Sequence, residues 1–141
     1  MSARPDLQPE SFDLAGEVSP QEAWEAFSRG AAFLVDVRTA EELAFVGRLP
    51  GSLHIPWATG LNMAPNPDFL EQLATLVPRQ AEVLFLCRSG KRSLAAARLA
   101  AANGWHRAYN IAEGFEGELD PGRQRGKLNG WRRRGLPWVQ D

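Results

Sequence analysis

The residues best equipped for chemistry stand together in Cys87-Arg88-Ser89-Gly90-Lys91-Arg92-Ser93, which holds the single cysteine of the 141-residue chain. A thiol of ordinary acidity is only about 3% ionised at neutral pH, and the thiolate is the form that attacks. Arg88, Lys91 and Arg92 crowd positive charge around this sulfur. Such charge favours the thiolate and can hold a small oxyanion while the sulfur attacks it. A lone cysteine also has an inert reading, as a small buried hydrophobe. Three cations and a glycine within the next five residues favour the reactive one, since a core position has no use for a basic loop.

The elements on either side must position that loop. Val83-Leu84-Phe85-Leu86 is a short apolar run bounded by turn chemistry, which predicts a buried strand. Leu94 to Ala102 is rich in strong helix formers and is stopped by Asn103-Gly104. The cysteine therefore falls where a strand ends and a helix begins. A loop in that position aims several unpaired backbone N–H groups at one point, and the helix dipole adds partial positive charge there.

Bulk properties narrow the function classes. The length suits one domain with a real core, and 44% hydrophobic and 23% charged residues are ordinary for a globular chain. A net charge of −1 gives no global attraction to nucleic acid or membrane. No apolar run approaches a membrane span, and Met1-Ser2-Ala3-Arg4-Pro5-Asp6 lacks the apolar core of a secretory signal. One cysteine makes no internal disulfide, so cytoplasmic residence, where a thiolate stays reduced, is the expectation. With only His54 and His106 beside it, no metal-ligand cluster is assembled from spacing and no metal or cofactor is expected.

Taken in order, residues 1–13 read as a mobile N-terminal arm and residues 14–141 as one domain with a C-terminal extension. Ser19-Pro20-Gln21-Glu22 is a capping box that opens a helix to about Arg29, with Trp24 and Phe27 buried, Val18 stapled to Ala23, and Gly30 as the stop. Ala32 to Val37 is apolar except for Asp36, which suits a strand covered on both faces. Thr39-Ala40-Glu41-Glu42 is a second capping box, for a short helix ended by Gly47. Ser52 to Ile55 reads as a short strand, and Ala58 to Pro67 as a loop forming a lid or rim. Asn66 is expected to cap a helix starting at Pro67 and ending at Pro78, and Arg107 to Ile111 to form a last strand. Buried strands alternating with capped helices predict an α/β fold, with a small central parallel sheet and helices on both faces. In such sheets the site lies beyond the carboxyl ends of the strands, where Cys87 and Asp36-Val37-Arg38 both fall.

Four blocks in this order resemble a single-domain rhodanese: Val35-Asp36-Val37-Arg38 with Glu41-Glu42, Gly47-Arg48-Leu49-Pro50-Gly51-Ser52-Leu53-His54-Ile55-Pro56, Cys87 to Ser93, and Tyr109-Asn110-Ile111-Ala112-Glu113-Gly114-Phe115-Glu116-Gly117. The likeness spans about residues 17–138, and the tail from Gly126 to Trp138 is similar to a bacterial branch with an extended C-terminus. It implies a rhodanese-like domain whose cysteine carries sulfane sulfur as a persulfide. Cys87 would attack the outer sulfur of thiosulfate or a persulfide donor and pass it to a thiophilic acceptor, cyanide or a thiol, including a thiol on a partner protein. Arg88, Ser89, Gly90, Lys91, Arg92 and Ser93 would bind the small anionic donor. The chain departs from the usual pattern at Arg48, where a histidine is common, and in the length of the Ala58 to Pro67 stretch.

Rival readings are a persulfide carrier, a non-enzymatic interaction module and a cysteine phosphatase. A phosphatase places arginine after five intervening residues, whereas Arg92 follows four and Ser93 takes the fifth-spaced position. An interaction module normally goes with loss of the cysteine. A phosphate-binding Gly90-Lys91 loop fails because Arg92 replaces the required Ser or Thr. Six basic residues from Arg123 to Arg134, with only Trp131 interleaved, read as a solvated face rather than a nucleic-acid patch. Among supporting residues, Asp36 and Arg38 are expected to pair with each other or with Arg92, and Glu42 to serve its capping box. His54 stands near the sulfur or structurally at a strand end, and Trp57 and Phe115 are pocket walls or core.

Overall fold

A computed structural model describes residues 14–140, so the arm read at 1–13 lies outside the described residues. Seven strands and four helices follow in the order β1 (Gly16–Val18), α1 (Pro20–Ser28), β2 (Phe33–Asp36), α2 (Ala40–Val46), β3 (Leu53–His54), β4 (Ala58–Thr59), β5 (Ala64–Pro65), α3 (Phe69–Leu76), β6 (Val83–Leu86), α4 (Lys91–Ala102) and β7 (Ala108–Ile111). The central sheet is parallel, with strand order β1-β7-β6-β2-β3. The chemistry-bearing strand β6 is thus the middle strand, flanked by β2 and β7.

Side chains alternate across a strand, and the core divides accordingly. Val35, Val83, Phe85 and Ala108 face one side and pack with Phe69 and Leu73 of α3, Ala96, Ala97 and Ala100 of α4, and Trp105. Leu34, Leu84, Leu86 and Ile111 face the other, with Ala23 of α1, Leu49, Phe115 and Trp131. Burial on both faces is why β6 reads as an unbroken apolar run and β2 as one interrupted only by Asp36. Continuing the alternation, Cys87 and Asn110 point to the α4 side and join that layer's contacts.

Helix ends are set as their sequences demand. Both capping boxes form, Ser19 with Glu22 and Thr39 with Glu42. Of α1, Pro20 and Ala23 are the fully buried residues; Trp24 and Phe27 are only half-buried, with the Trp24 ring edge-on to Trp131 at 6.3 Å. At the end of α4, Gly104 at φ +106° lets the Trp105 N–H reach the Ala100 carbonyl at 3.1 Å.

Gly16–Val18, to which the sequence reading assigned no element, is an edge strand paired with β7, and two further expectations are corrected. Ala58 to Pro67 is not plain loop but holds the antiparallel pair β4-β5. Helix α3 begins at Phe69 rather than Pro67, after a turn in which Asn66 Oδ1 accepts from the Asp68 N–H while its Nδ2 donates to the Pro56 carbonyl and to Gln72. None of the described helices is long and apolar enough to cross a membrane.

Candidate functional site

Cys87 follows directly on β6, and four residues later α4 begins. Gly90, the residue before α4, sits at φ +110°, a conformation that glycine adopts cheaply. In this turn the Gly90 N–H donates to Cys87 Sγ at 3.0 Å. Ser93 Oγ, one turn into α4, lies 3.3 Å from the same sulfur. The residue as a whole is only 1% exposed. A sulfur lying open in its loop is therefore not what is seen: strand alternation turns the side chain inward, and the alanines of α4 leave room for it.

The loop is held from behind by the turn after β7. The Phe115 N–H donates to the Cys87 carbonyl at 2.8 Å, and the Glu116 and Gly117 N–H groups donate to the Arg88 carbonyl at 3.0 and 3.2 Å. A Cβ at Gly114, at φ +70°, would stand 2.4 Å from the Arg88 carbonyl oxygen, so only glycine permits this approach. Two recesses border the loop. A cavity of about 640 Å³ is lined by Ser89, Gly90 and Lys91, with Glu17, Asn110 and Arg125 among its other walls. A groove of about 230 Å³ runs between Arg88, Glu42, Phe45, Leu61 and Met63. Cys87 is not among the residues lining either.

The cations divide into two kinds. Arg92 points its fork at Glu42, Nη1 to Oε1 at 2.7 Å and Nη2 to Oε2 at 2.8 Å, which ties α4 to α2. Partial burial opposes ionisation of Glu42. The Arg92 fork, the Thr39 backbone bond and the charges of Arg92 and Arg38 outweigh it and hold the carboxyl at about 2. Glu42 in turn raises Arg92, against the burial that would lower it. Arg88 and Lys91 are exposed, one on the groove and one on the cavity.

Of the supporting residues, Asp36 and Arg38 pair with each other rather than with Arg92. Arg38 Nη2 lies 2.7 Å from Asp36 Oδ2, both side chains are fully buried, and Nη2 also donates to the Gly47 carbonyl. The Arg38 guanidinium lies 4.2 Å from the centre of the Phe115 ring, which makes Phe115 core rather than pocket wall. His54 Nε2 contacts the Arg38 carbonyl at 2.7 Å, the structural alternative for this residue. Trp57 packs edge-on to Phe69 at 5.1 Å, again a core contact. Two residues near the sulfur went unread as site residues: Asn110 Oδ1 accepts from Ser93 Oγ at 2.5 Å, and Asn110 Nδ2 donates to Glu17 Oε2 at 2.9 Å. The signal for Asn110 was a polar side chain inside an apolar strand, whereas Glu17 gave none.

An N–H donor and a helix N-terminus beside a sulfur favour negative charge on it, and the fold that places them is shared with known proteins. The family model for the rhodanese-like domain matches residues 19–118. The chain is similar to Rv0390 from M. tuberculosis, whose crystal structure superposes with a TM-score of 0.82 at 43% identity, over 92% of this chain and 100% of that one. It is 37% identical over 109 residues to an uncharacterized protein of Rickettsia prowazekii, RP600, covering 76% of this chain and 82% of that protein. It is 34% identical over 111 residues to the human thiosulfate:glutathione sulfurtransferase, covering 75% of this chain and 95% of that protein. The chain belongs to the rhodanese-like domain family, whose members include sulfurtransferases.

Proposed function

We propose that this protein is a sulfurtransferase that moves sulfane sulfur through a persulfide on Cys87. The observation that carries it is the Gly90 N–H aimed at Cys87 Sγ from 3.0 Å, at the start of a twelve-residue helix. An N–H donor and a helix N-terminus both favour a negative sulfur. In the first half-reaction the Cys87 thiolate attacks the outer sulfur of thiosulfate. The S–S bond of the donor breaks, its electron pair leaves with sulfite, and Cys87 holds –S–S⁻. In the second, cyanide or a thiolate attacks the outer sulfur, and the Cys87 thiolate is regenerated as thiocyanate or a new persulfide leaves. Negative charge is conserved in both steps, and neither leaving group needs a proton.

Arg88 and Lys91 are the cations suited to meet the dianionic donor, since the Arg92 fork is filled by Glu42. Arg92 then serves the site by its field and by fixing the start of α4. With Cys87 at 1% exposure, donor and acceptor reach the sulfur only through a local opening of the site. The likeness to a thiosulfate:glutathione sulfurtransferase supports a small thiol as acceptor alongside cyanide.

The test is thiocyanate formation from thiosulfate and cyanide, with glutathione as the alternative acceptor and p-nitrophenyl phosphate as the phosphatase control. Turnover is expected with thiosulfate and none with the phosphate ester. Cys87→Ser should lose all of it while keeping the wild-type circular dichroism, and a serine variant that still turned over would remove Cys87 from the mechanism.

A further inference from the structure

The hydroxyl beside the sulfur has one proton and two claimants. Asn110 is oriented by Glu17: a carboxylate only accepts, so the amide Nδ2 faces Glu17 Oε2 at 2.9 Å and the amide oxygen is turned to Ser93. That oxygen lies 2.5 Å from Ser93 Oγ, the short end of the range for O–H···O bonds. The Ser93 proton therefore lies toward Asn110, and the lone pairs of Oγ face Cys87 Sγ at 3.3 Å. In this arrangement Ser93 can accept from an S–H but has no proton to offer an ionised sulfur. Once the sulfur is ionised it can only accept, and the Ser93 proton must leave Asn110 to reach it.

From this geometry we infer that Asn110, held by Glu17, is a positioning residue that restrains ionisation of Cys87 by holding the Ser93 hydroxyl proton away from the sulfur. The inference rests on Cys87 being the working nucleophile. The hydrogen bonds of Asn110 go to Ser93 and Glu17 rather than to the sulfur, so both residues act through Ser93. Other charged groups surround the site, and the Asn110 variant replaces none of them. They are Lys91 and Arg92 of α4, the latter paired to Glu42 of α2, Asp36 of β2 paired to Arg38, Arg88 on the loop, Glu113 after β7 paired to Arg134, and Glu118 and Arg125 on the cavity wall.

The single cysteine makes the measurement direct, because the ultraviolet absorbance of a thiolate reports on one residue. In the intact protein without sulfur donor, Asn110→Ala should move the midpoint of thiolate formation to lower pH by about half a unit to one unit, the worth of one neutral hydrogen bond. Glu17→Gln, on an exposed edge-strand residue where folding is not at stake, should move it the same way by less, since a glutamine lets the Asn110 amide turn over. In a Ser93→Ala background, Asn110→Ala should add nothing. A midpoint that stays or rises in both single variants overturns the assignment, and so does a shift that persists without Ser93. The readout uses no sulfur donor, so a protein that ionises as described but takes up no sulfur would refute the sulfurtransferase function and leave this assignment standing.

Discussion

At Gly90 a single backbone torsion decides whether an N–H meets the sulfur. A side chain there would meet only loose contacts, none nearer than 3.8 Å, so the cost of Gly90→Ala is conformational, from φ +110°. The variant should lose about 1 kcal/mol of stability or somewhat more in denaturant unfolding. If the N–H serves the thiolate, the rate of sulfur transfer should fall well beyond what that unfolding explains. Equal loss of rate and of folded fraction would mean that the contact is only structural. Cys87, the glycine and the flanking cations were legible from residue types alone. Their division of labour was not, because nothing local in the sequence says that Arg92 would find Glu42, 50 residues earlier, or that Asn110 would find Glu17, 93 residues earlier.

At the scale of elements, the site depends on how α4 and the 88–90 segment are held. Glu42 links α2 to α4 and is ionised down to about 2, against an ordinary value of 4.5. A carboxyl lowered on folding contributes stability that is complete above its unfolded value and is lost as the pH falls through the folded one. The Glu42–Arg92 contribution should therefore be whole above about pH 4.5 and disappear toward pH 2. Glu42→Gln should lower the melting temperature near neutral pH and flatten its fall in that acid window, and an unchanged acid slope would contradict the assignment. The sulfur itself is closed off, with Cys87 only 1% exposed. A small alkylating reagent should label native Cys87 many times faster than a bulky maleimide, with the difference vanishing in denaturant; equal native rates would show that the sulfur needs no opening. The capping boxes made α1 and α2 legible, since each is a local pattern of four residues. The two-residue strands β4 and β5 are too short to show a period and are punctuated by Gly60, Pro65 and Pro67, which is why that hairpin read as loop.

Across the whole molecule, the second core layer is closed by the C-terminal segment, beyond the residues matched by the family model. Trp131 is fully buried, donates its indole N–H to the Pro137 carbonyl at 2.8 Å, and meets Trp24 edge-on. Trp138 lies edge-on to Phe115 at 6.0 Å, and Val139 exchanges backbone bonds of 2.8 Å with Arg48. Arg134 holds Glu113, just after β7, below the usual carboxylate range; burial opposes this and is outweighed by the Arg134 fork and the Gly130 N–H. The tail is thus fastened to the turn that clamps the cysteine loop. Trp131→Ala should cost about 3–5 kcal/mol in equilibrium unfolding, and a cost below about 1 kcal/mol would show the tail to be dispensable. The parallel α/β plan was legible from alternating buried strands and capped helices. The packing of the tail was not, because a polar, glycine-rich stretch without periodicity gives no face to assign to its scattered apolar residues.

The most direct test of the account is the intact mass of the protein before and after incubation with thiosulfate, and again after cyanide. The account predicts a gain of one sulfur atom, located on Cys87, that cyanide removes and that Cys87→Ser never acquires. A mass that does not change with thiosulfate or with a persulfide donor, in protein whose Cys87 is free and reduced, would contradict it.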